Sequence, residues 1–417
     1  MRWPHALRSL AHRNLRLFFA GQAVSLAGSW MQSVAQGWLV YRLTRSTALL
    51  GAVGFLGQVP VFLFGLWAGS LADRLPRRKV VLTTQVNALV QALVLAVLTL
   101  SGAVRPWHLL ALAFMLGLSY AFEIPARQSL LADIAGEDMP NALALNSTVV
   151  NMARVVGPAL AGVVVAAVGE GWCFALNAVS FVGTILALLA MKLDERPVAA
   201  PTSRRAHLAG GVSFALHTPH VRALFLLLGA SSFFALPYVA LLPAYAHDVL
   251  RGDARTLGAL QGAAGAGALA AGIALMSRRG IHGLGRRVAV GASLLGLGLG
   301  AAALVRSTPL ACAALVVAGF GYLTQTAGTL TLVQSLAPDH LRGRLMGVFS
   351  TVFVGITPFG TLAGGVVAQR LGVSAVLLGG AGAVLAGSVA FHLALPRLRR
   401  GAREMHPELL ARPPPPP

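Results

Sequence analysis

Gln22, Ser25, Ser29, Gln32 and Gln36 are spaced 3, 4, 3 and 4 residues apart inside a run that is otherwise mostly apolar. That spacing puts five amides and hydroxyls on one face of an α-helix. In hydrocarbon such a face must meet protein or water, because lipid takes up no hydrogen bonds. Its chemistry is therefore either recognition of polar groups on a small molecule or hydrogen bonding between helices. A second set, Ser147, Asn151 and Arg154, has spacings of 4 and 3, and its arginine lies deep in another apolar run. An arginine at that depth costs roughly 2.5–3.5 kcal/mol on insertion scales, so it faces protein or a wet cavity. It either grips an anionic or polar ligand group or is held by carbonyls and the glutamines of the first set.

Glu123 is the one carboxylate firmly inside an apolar run. A buried carboxyl is a natural proton carrier, but Arg77 and Arg127 belong at the same surface and make a charge latch the competing role. The link Gly69-Ser-Leu-Ala-Asp73-Arg74-Leu-Pro-Arg77-Arg78-Lys79 crowds charge into a short turn between two long apolar runs. Asp73 either docks on the N-terminal dipole of the helix that starts near Arg344 or is a solvated loop residue. Tyr120, Gln261 and Gln325, with Thr324 and Thr329, could complete a cavity wall or simply pack; Trp38 and His392 read more simply as core or interface residues. Cys173 and Cys312 fall within apolar runs and read as small core residues. No phosphate-cradling loop, zinc spacing or nucleophile elbow is present in the sequence, so neither enzyme chemistry nor a cofactor or metal is expected.

The elements that hold these residues are membrane helices. The 417 residues are 56% hydrophobic and only 11% charged, with a mean hydropathy of +0.73, about half the charged share of a soluble domain. Apolar runs of bilayer length recur near 17–40, 48–72, 80–101, 107–126, 142–168, 172–191, 222–247, 256–276, 288–305, 309–334, 345–369 and 372–395, which predicts an all-α integral membrane fold of twelve helices. With the N-terminus inside, 25 of the 33 Lys and Arg fall on the inner side and seven outside, leaving Arg154 within a span. This asymmetry puts both termini in the cytoplasm. The net charge of +20 thus reflects topology, and nucleic acid is not an expected partner. The first apolar run lacks a cleavage pattern, so no removable signal peptide is expected.

The chain also reads as built twice. Acidic residues, then Ser-Thr-Val, then a Pro and an Ala-Gly pair recur from Leu130 and from Leu332. Such a parallel repeat is common among transporters. It divides the chain into 1–191, a six-helix half; 192–220, a cytoplasmic connector; 221–395, a second six-helix half; and 396–417, a disordered basic and Pro-rich tail.

On these motifs the chain resembles the major facilitator superfamily, and within it the branch of enterobactin exporters and macrolide efflux pumps. The 69–79 link resembles the superfamily's G-x-L-a-D-r-x-G-r-k motif, with Pro76 in place of the second Gly. The segments 21–46, Pro125-Ala-Arg127-Gln128 and Asn146-Ser147 through Gly157-Pro158 resemble that branch. The resemblance implies proton-coupled efflux of a small amphiphilic molecule, a siderophore or antibiotic, by alternating access in a bacterial inner membrane. A facilitator, an importer or a transport-inactive sensor remains open on the same fold. It also implies a latch of Gly69, Asp73, Arg74, Arg77, Arg78, Glu123 and Arg127, with Glu123 or Asp73 as possible proton sites. Gly157, Pro158 and Gly162 correspond to a helix 5 seam that packs on the other half. A monomer in the lipid bilayer, working on a small molecule and an ion gradient, is expected.

Overall fold

The computed structural model describes residues 5–72, 75–192, 205–276, 283–338 and 340–405; Asp73 and Arg74 therefore lie outside the described residues. A short 3-10 turn, His5–Ala11, precedes α1 (Arg13–Thr44), α2 (Thr47–Ala72), α3 (Arg77–Leu100), α4 (Pro106–Ala135), α5 (Met139–Val168) and α6 (Glu170–Ala190). A connector helix, α7 (Arg205–His217), leads to α8 (Pro219–Val249), α9 (Ala254–Met276), α10 (Leu284–Leu304), α11 (Thr308–Leu336), α12 (Arg342–Leu371) and α13 (Val373–Met405). Among the described residues, ten stretches are long and apolar enough to cross a membrane. One of them, Pro106–Val168, holds both α4 and α5, whereas the amides and hydroxyls of α1 lower its hydropathy.

The helix ends follow from local chemistry. Pro106, Pro219 and Pro309 open helices where a missing N–H costs nothing. Gly169 and Gly372 divide α5 from α6 and α12 from α13, at φ 91° and 82° with ψ 170° and 159°. Only glycine takes that backbone comfortably, and the two occupy matching places in the two halves. The doubled sequence is thus a doubled structure.

Within each half the helices pack both on sequence neighbours, α3 on α4 and α10 on α11, and on distant ones, α1 on α5 and α6, α3 on α6, and α10 on α13. Two pairs join the halves: α2 with α12, and α5 with α9. Both contain close small-residue contacts, and the first also packs Phe55 and Phe62 of α2 against Phe359 of α12. A Cβ on Gly51 would lie 2.8 Å from the Thr361 carbonyl oxygen, and one on Gly258 would lie 2.7 Å from that of Pro158. Backbones approach this closely in lipid because dispersion replaces the hydrophobic force between helices.

Two expectations change here. The fourth helix runs to Ala135, well beyond its apolar run, because residues 127–135 continue a helical face whose Leu130, Leu131 and Ala135 are buried. The segment 396–405, read as tail, continues α13 as helix through Pro396. The connector's α7 packs against the start of α12, where Gly211 meets Arg344.

Candidate functional site

Arg154 stands at the middle of α5, which is clamped on both sides. A Cβ on Gly157 would fall 2.7 Å from the Ala27 carbonyl oxygen of α1, and one on Gly265 of α9 would fall 2.8 Å from the carbonyl oxygen of Arg154 itself. The half-buried guanidinium lies over the Trp30 ring, with Cζ 5.4 Å from the centroid, in cation–π range. The guanidinium carries its donors in the plane of its fork. Nε is buried and has no hydrogen-bond partner.

The C-terminal half supplies the facing wall. Tyr238 of α8 and Tyr322 of α11 stand within electrostatic range of Arg154 and of each other. Tyr322 stacks on Phe353 of α12 at 6.4 Å and 23°, and Phe353 stacks on Phe349 at 5.9 Å and 24°. Local backbone helps to aim these rings. Phe353 sits in a π-turn, Thr351–Gly355, and Tyr238 lies between two π-turns of α8, Ser231–Ala235 and Tyr245–Val249. Such wide turns recur at functional sites. Trp30, Arg154, Tyr238, Tyr322 and Phe353 all lie in the middle portions of their helices, so they share one depth.

The polar face of α1 is turned elsewhere. The Gln32 amide donates to Gln91 Oε1 of α3 at 2.8 Å and accepts from Asn177 Nδ2 of α6 at 2.8 Å. Gln32 and Arg154 therefore point apart, contrary to the expectation of a shared wall. Gln22 donates to Asn146 Oδ1 at 3.1 Å. With Ser25, Gln85, Arg127 and Thr184, Gln22 also lines a small cavity inside the N-terminal half. Gln36 is buried, and half-buried Ser29 faces the Tyr120 hydroxyl. Asn151 spends its amide on the Ser147 carbonyl of its own helix, and Ser147 is exposed.

In the other half Gln325 is likewise taken up internally. It exchanges hydrogen bonds with Ser231 and donates to the Leu227 carbonyl oxygen at 3.3 Å, closing the first π-turn of α8. Gln261 is half-buried on α9, while Thr324 and Thr329 are buried. The seam residues Gly157, Pro158 and Gly162 divide their contacts, Gly157 against α1 and the other two against Gly258 of α9.

The charged surface at the inner end also differs from expectation. Arg77 pairs with Asp133 and donates to the Ser129 carbonyl oxygen at 3.4 Å. Arg78 donates to the Leu189 carbonyl oxygen at 2.8 Å, and Gly69 is buried. Glu123 is bound instead by Arg127, one turn away on α4, at 3.2 Å, beside Gln85. The reason is depth: ten helical residues separate Glu123 from Asp133, about 15 Å of rise. Asp133 was missed because the apolar run stops before it, although the extra helical turns place it opposite the link.

A second missed cluster joins the halves at the end of the bundle opposite Arg77. Tyr41 at the end of α1 donates to Asp248 at the end of α8. His247 contacts Arg45, with Nδ1 2.7 Å from its Nη1, and also Asp248. Gln369 of α12 accepts at Oε1 from Thr47 N at 2.8 Å, Ser46 Oγ at 3.1 Å and Ala48 N at 3.4 Å. Among the described residues, the side-chain hydrogen bonds shown between the halves lie at this rim.

The long apolar helices packed in this way are those of a multi-pass membrane transporter of the major facilitator class. A family model described as "Transmembrane secretion effector" matches residues 5–414, and the chain belongs to that family. It is similar to the multidrug efflux pump Tap of Mycolicibacterium fortuitum, 29% identical over 391 residues, covering 89% of this chain and 93% of that protein. The enterobactin exporter EntS of Salmonella typhimurium is 28% identical over 401 residues, covering 93% and 94%. In fold it resembles a bacterial homologue of the iron transporter ferroportin solved in an inward-facing state, with a TM-score of 0.69 at 20% identity over 91% of this chain and 98% of the other.

Proposed function

We propose that the protein is a proton-coupled exporter of a small amphiphilic molecule, working by alternating access in a bacterial cytoplasmic membrane with both termini inside. The observation that carries this reading is the placement of Arg154. A cation that is expensive at mid-depth stands between the two halves with a free donor edge and an aromatic wall opposite it. Direct bonding across the outer rim, with the other half-to-half contacts made through small residues and the Phe55, Phe62 and Phe359 rings, corresponds to a state closed outward. The names of the relatives, a multidrug efflux pump and an enterobactin exporter, support export over uptake.

Glu123 supports the coupling step. With the 2–3 link paired to Asp133, Glu123 is left to Arg127 and Gln85 inside the N-terminal half. Protonation there releases Arg127, and loss of the proton restores the pair. This is a local two-state switch of the kind that a gradient can drive.

The test starts from the metabolites retained by cells lacking the protein. The compound that accumulates is then offered to everted vesicles carrying it. Vesicle uptake that rises with an acid interior and collapses with an uncoupler is expected, and Glu123→Gln should abolish the dependence on the gradient. Uptake indifferent to the gradient in the native protein refutes coupling, and outflow from pre-loaded everted vesicles against a gradient refutes export.

A further inference from the structure

We infer that the mid-depth site selects anions carrying flat aromatic rings, and that Arg154 takes the anionic group edge-on while the Tyr322–Phe353–Phe349 ladder takes the ring system. This rests on the transport reading above and narrows it to a chemical class.

Charge is the first argument. Among the described residues no carboxylate pairs with Arg154, and Glu123 of α4 is already held by Arg127. The C-terminal half contributes phenols and phenyl rings to the site, Tyr238, Tyr322, Phe349 and Phe353. A lone cation among neutral rings disfavours a cationic ligand and favours one negative charge, since like charge in a partly desolvated site is costly.

Geometry is the second. The Trp30 ring lies to one side of the guanidinium, so a ligand group meets the donor edge rather than that side. A carboxylate or phenolate meets that edge in plane, as the planar fork requires. The buried Nε donor is unpartnered, and an acceptor there relieves a group that is otherwise unsatisfied. The ladder begins at Tyr322, at the middle of α11 as Arg154 is at the middle of α5, and continues in two near-parallel steps. Near-parallel rings offer edges and faces at the spacing aromatic ligands prefer. A small aryl acid therefore reaches both elements at once, while longer amphiphiles extend along the ladder.

The test uses the full chain, purified and held in lipid nanodiscs, with three probes that share one ring: 1-naphthoate, 1-naphthamide and 1-naphthylmethylammonium. Equilibrium dialysis is expected to give naphthoate a Kd about tenfold below that of the amide, with the ammonium weaker than either. Arg154→Gln should raise the naphthoate Kd to that of the amide while moving the amide Kd less than about twofold, and Arg154→Lys should keep part of the preference. Tyr322→Leu should weaken naphthoate and naphthamide alike. Thermal melts of each variant check folding. Equal Kd values for naphthoate and naphthamide in the native protein overturn the anion preference yet leave the site standing if Tyr322→Leu still weakens both. A preference for naphthoate that survives Arg154→Gln overturns the assignment of Arg154. No saturable binding of any probe by protein that melts normally overturns the class and the mid-depth site together.

Discussion

Gln369 joins the two halves by an unusual route. Its side-chain oxygen accepts from the backbone N–H groups of Thr47 and Ala48, the first residues of α2 in the opposite half. Those donors have no partner within their own helix, so Gln369 acts as an N-cap supplied in trans. Removing an N-cap costs about 0.5–2 kcal/mol, typically about 1. Gln369 is an exposed residue, and water replaces part of what is lost, so the lower half of that range applies. At 1.4 kcal/mol per tenfold, Gln369→Ala should shift the balance from outward-closed to outward-open by about two- to eightfold. Gln369→Glu should act in the opposite direction. It keeps the acceptor and adds a negative charge at a helix N-terminus, worth about 0.3–1 kcal/mol toward the closed state. The assay is a pulsed electron–electron distance measurement between labels at two exposed outer positions, Trp107→Cys on α4 and Leu310→Cys on α11, in a background with Cys173 and Cys312 replaced by alanine. Glutamate should narrow the distribution toward the short distance and alanine should enlarge the long one. A shift of the same sign in both variants, or none in either, refutes the trans-capping argument.

Three other substitutions have defined outcomes. Gly258→Val drives a side chain into the Pro158 carbonyl and should abolish transport and lower the melting temperature, whereas Gly382→Ala, where a Cβ meets open space, should leave transport unchanged with a gain of about 0.4–1 kcal/mol in stability. Gln32→Leu strands the Gln91 and Asn177 amides and should cost about 0.6–2 kcal/mol in a folding titration in detergent while leaving naphthamide binding within twofold of native. If that binding falls tenfold at an unchanged melting temperature, Gln32 belongs to the ligand site after all. Asp133→Asn frees Arg77 from a partly exposed pair and should lower stability by no more than about 1 kcal/mol while lowering the transport rate; an unchanged rate separates this pair from gating.

The spans and the twofold build were legible because hydropathy and repeated motifs report them directly. The azimuth of α1 was not, since a 3-4 spacing defines a face without saying which neighbour it meets. A clue was nonetheless present. Gly21, Ser25, Gly28 and Gln32 follow one another at 4, 3 and 4 on the same side, and Gly21 and Gly28 approach Thr184 and Asn177 of α6 closely. A stripe that alternates amides with small residues is a packing face, and the site residue is Trp30, off that stripe. The aromatic wall of α8, α11 and α12 gave no periodic signal, because its rings come from separate helices and are aimed by π-turns. Arg154 was found because burial of charge is expensive wherever it occurs.

The distribution of polar bonds explains how such a molecule can move. Inside each half, buried amides lock helices together: Gln32 with Gln91 and Asn177 in one, Gln325 with Ser231 and the Leu227 carbonyl in the other. Between the halves, among the described residues, the side-chain hydrogen bonds shown lie at the rim and not in the seams. Thr361 turns its hydroxyl back to the Thr357 carbonyl of its own helix at 2.9 Å and presents its methyl group to Gly54. When that seam opens, no hydroxyl or amide there loses a partner in hydrocarbon, where each unmet group costs several kcal/mol. The bonds that do break, at Tyr41, Arg45, Thr47 and Gln369, lie at the rim where water can replace them. Rigid halves, dry seams and a wet rim keep the two states close in free energy, the condition under which a single proton or ligand can decide between them.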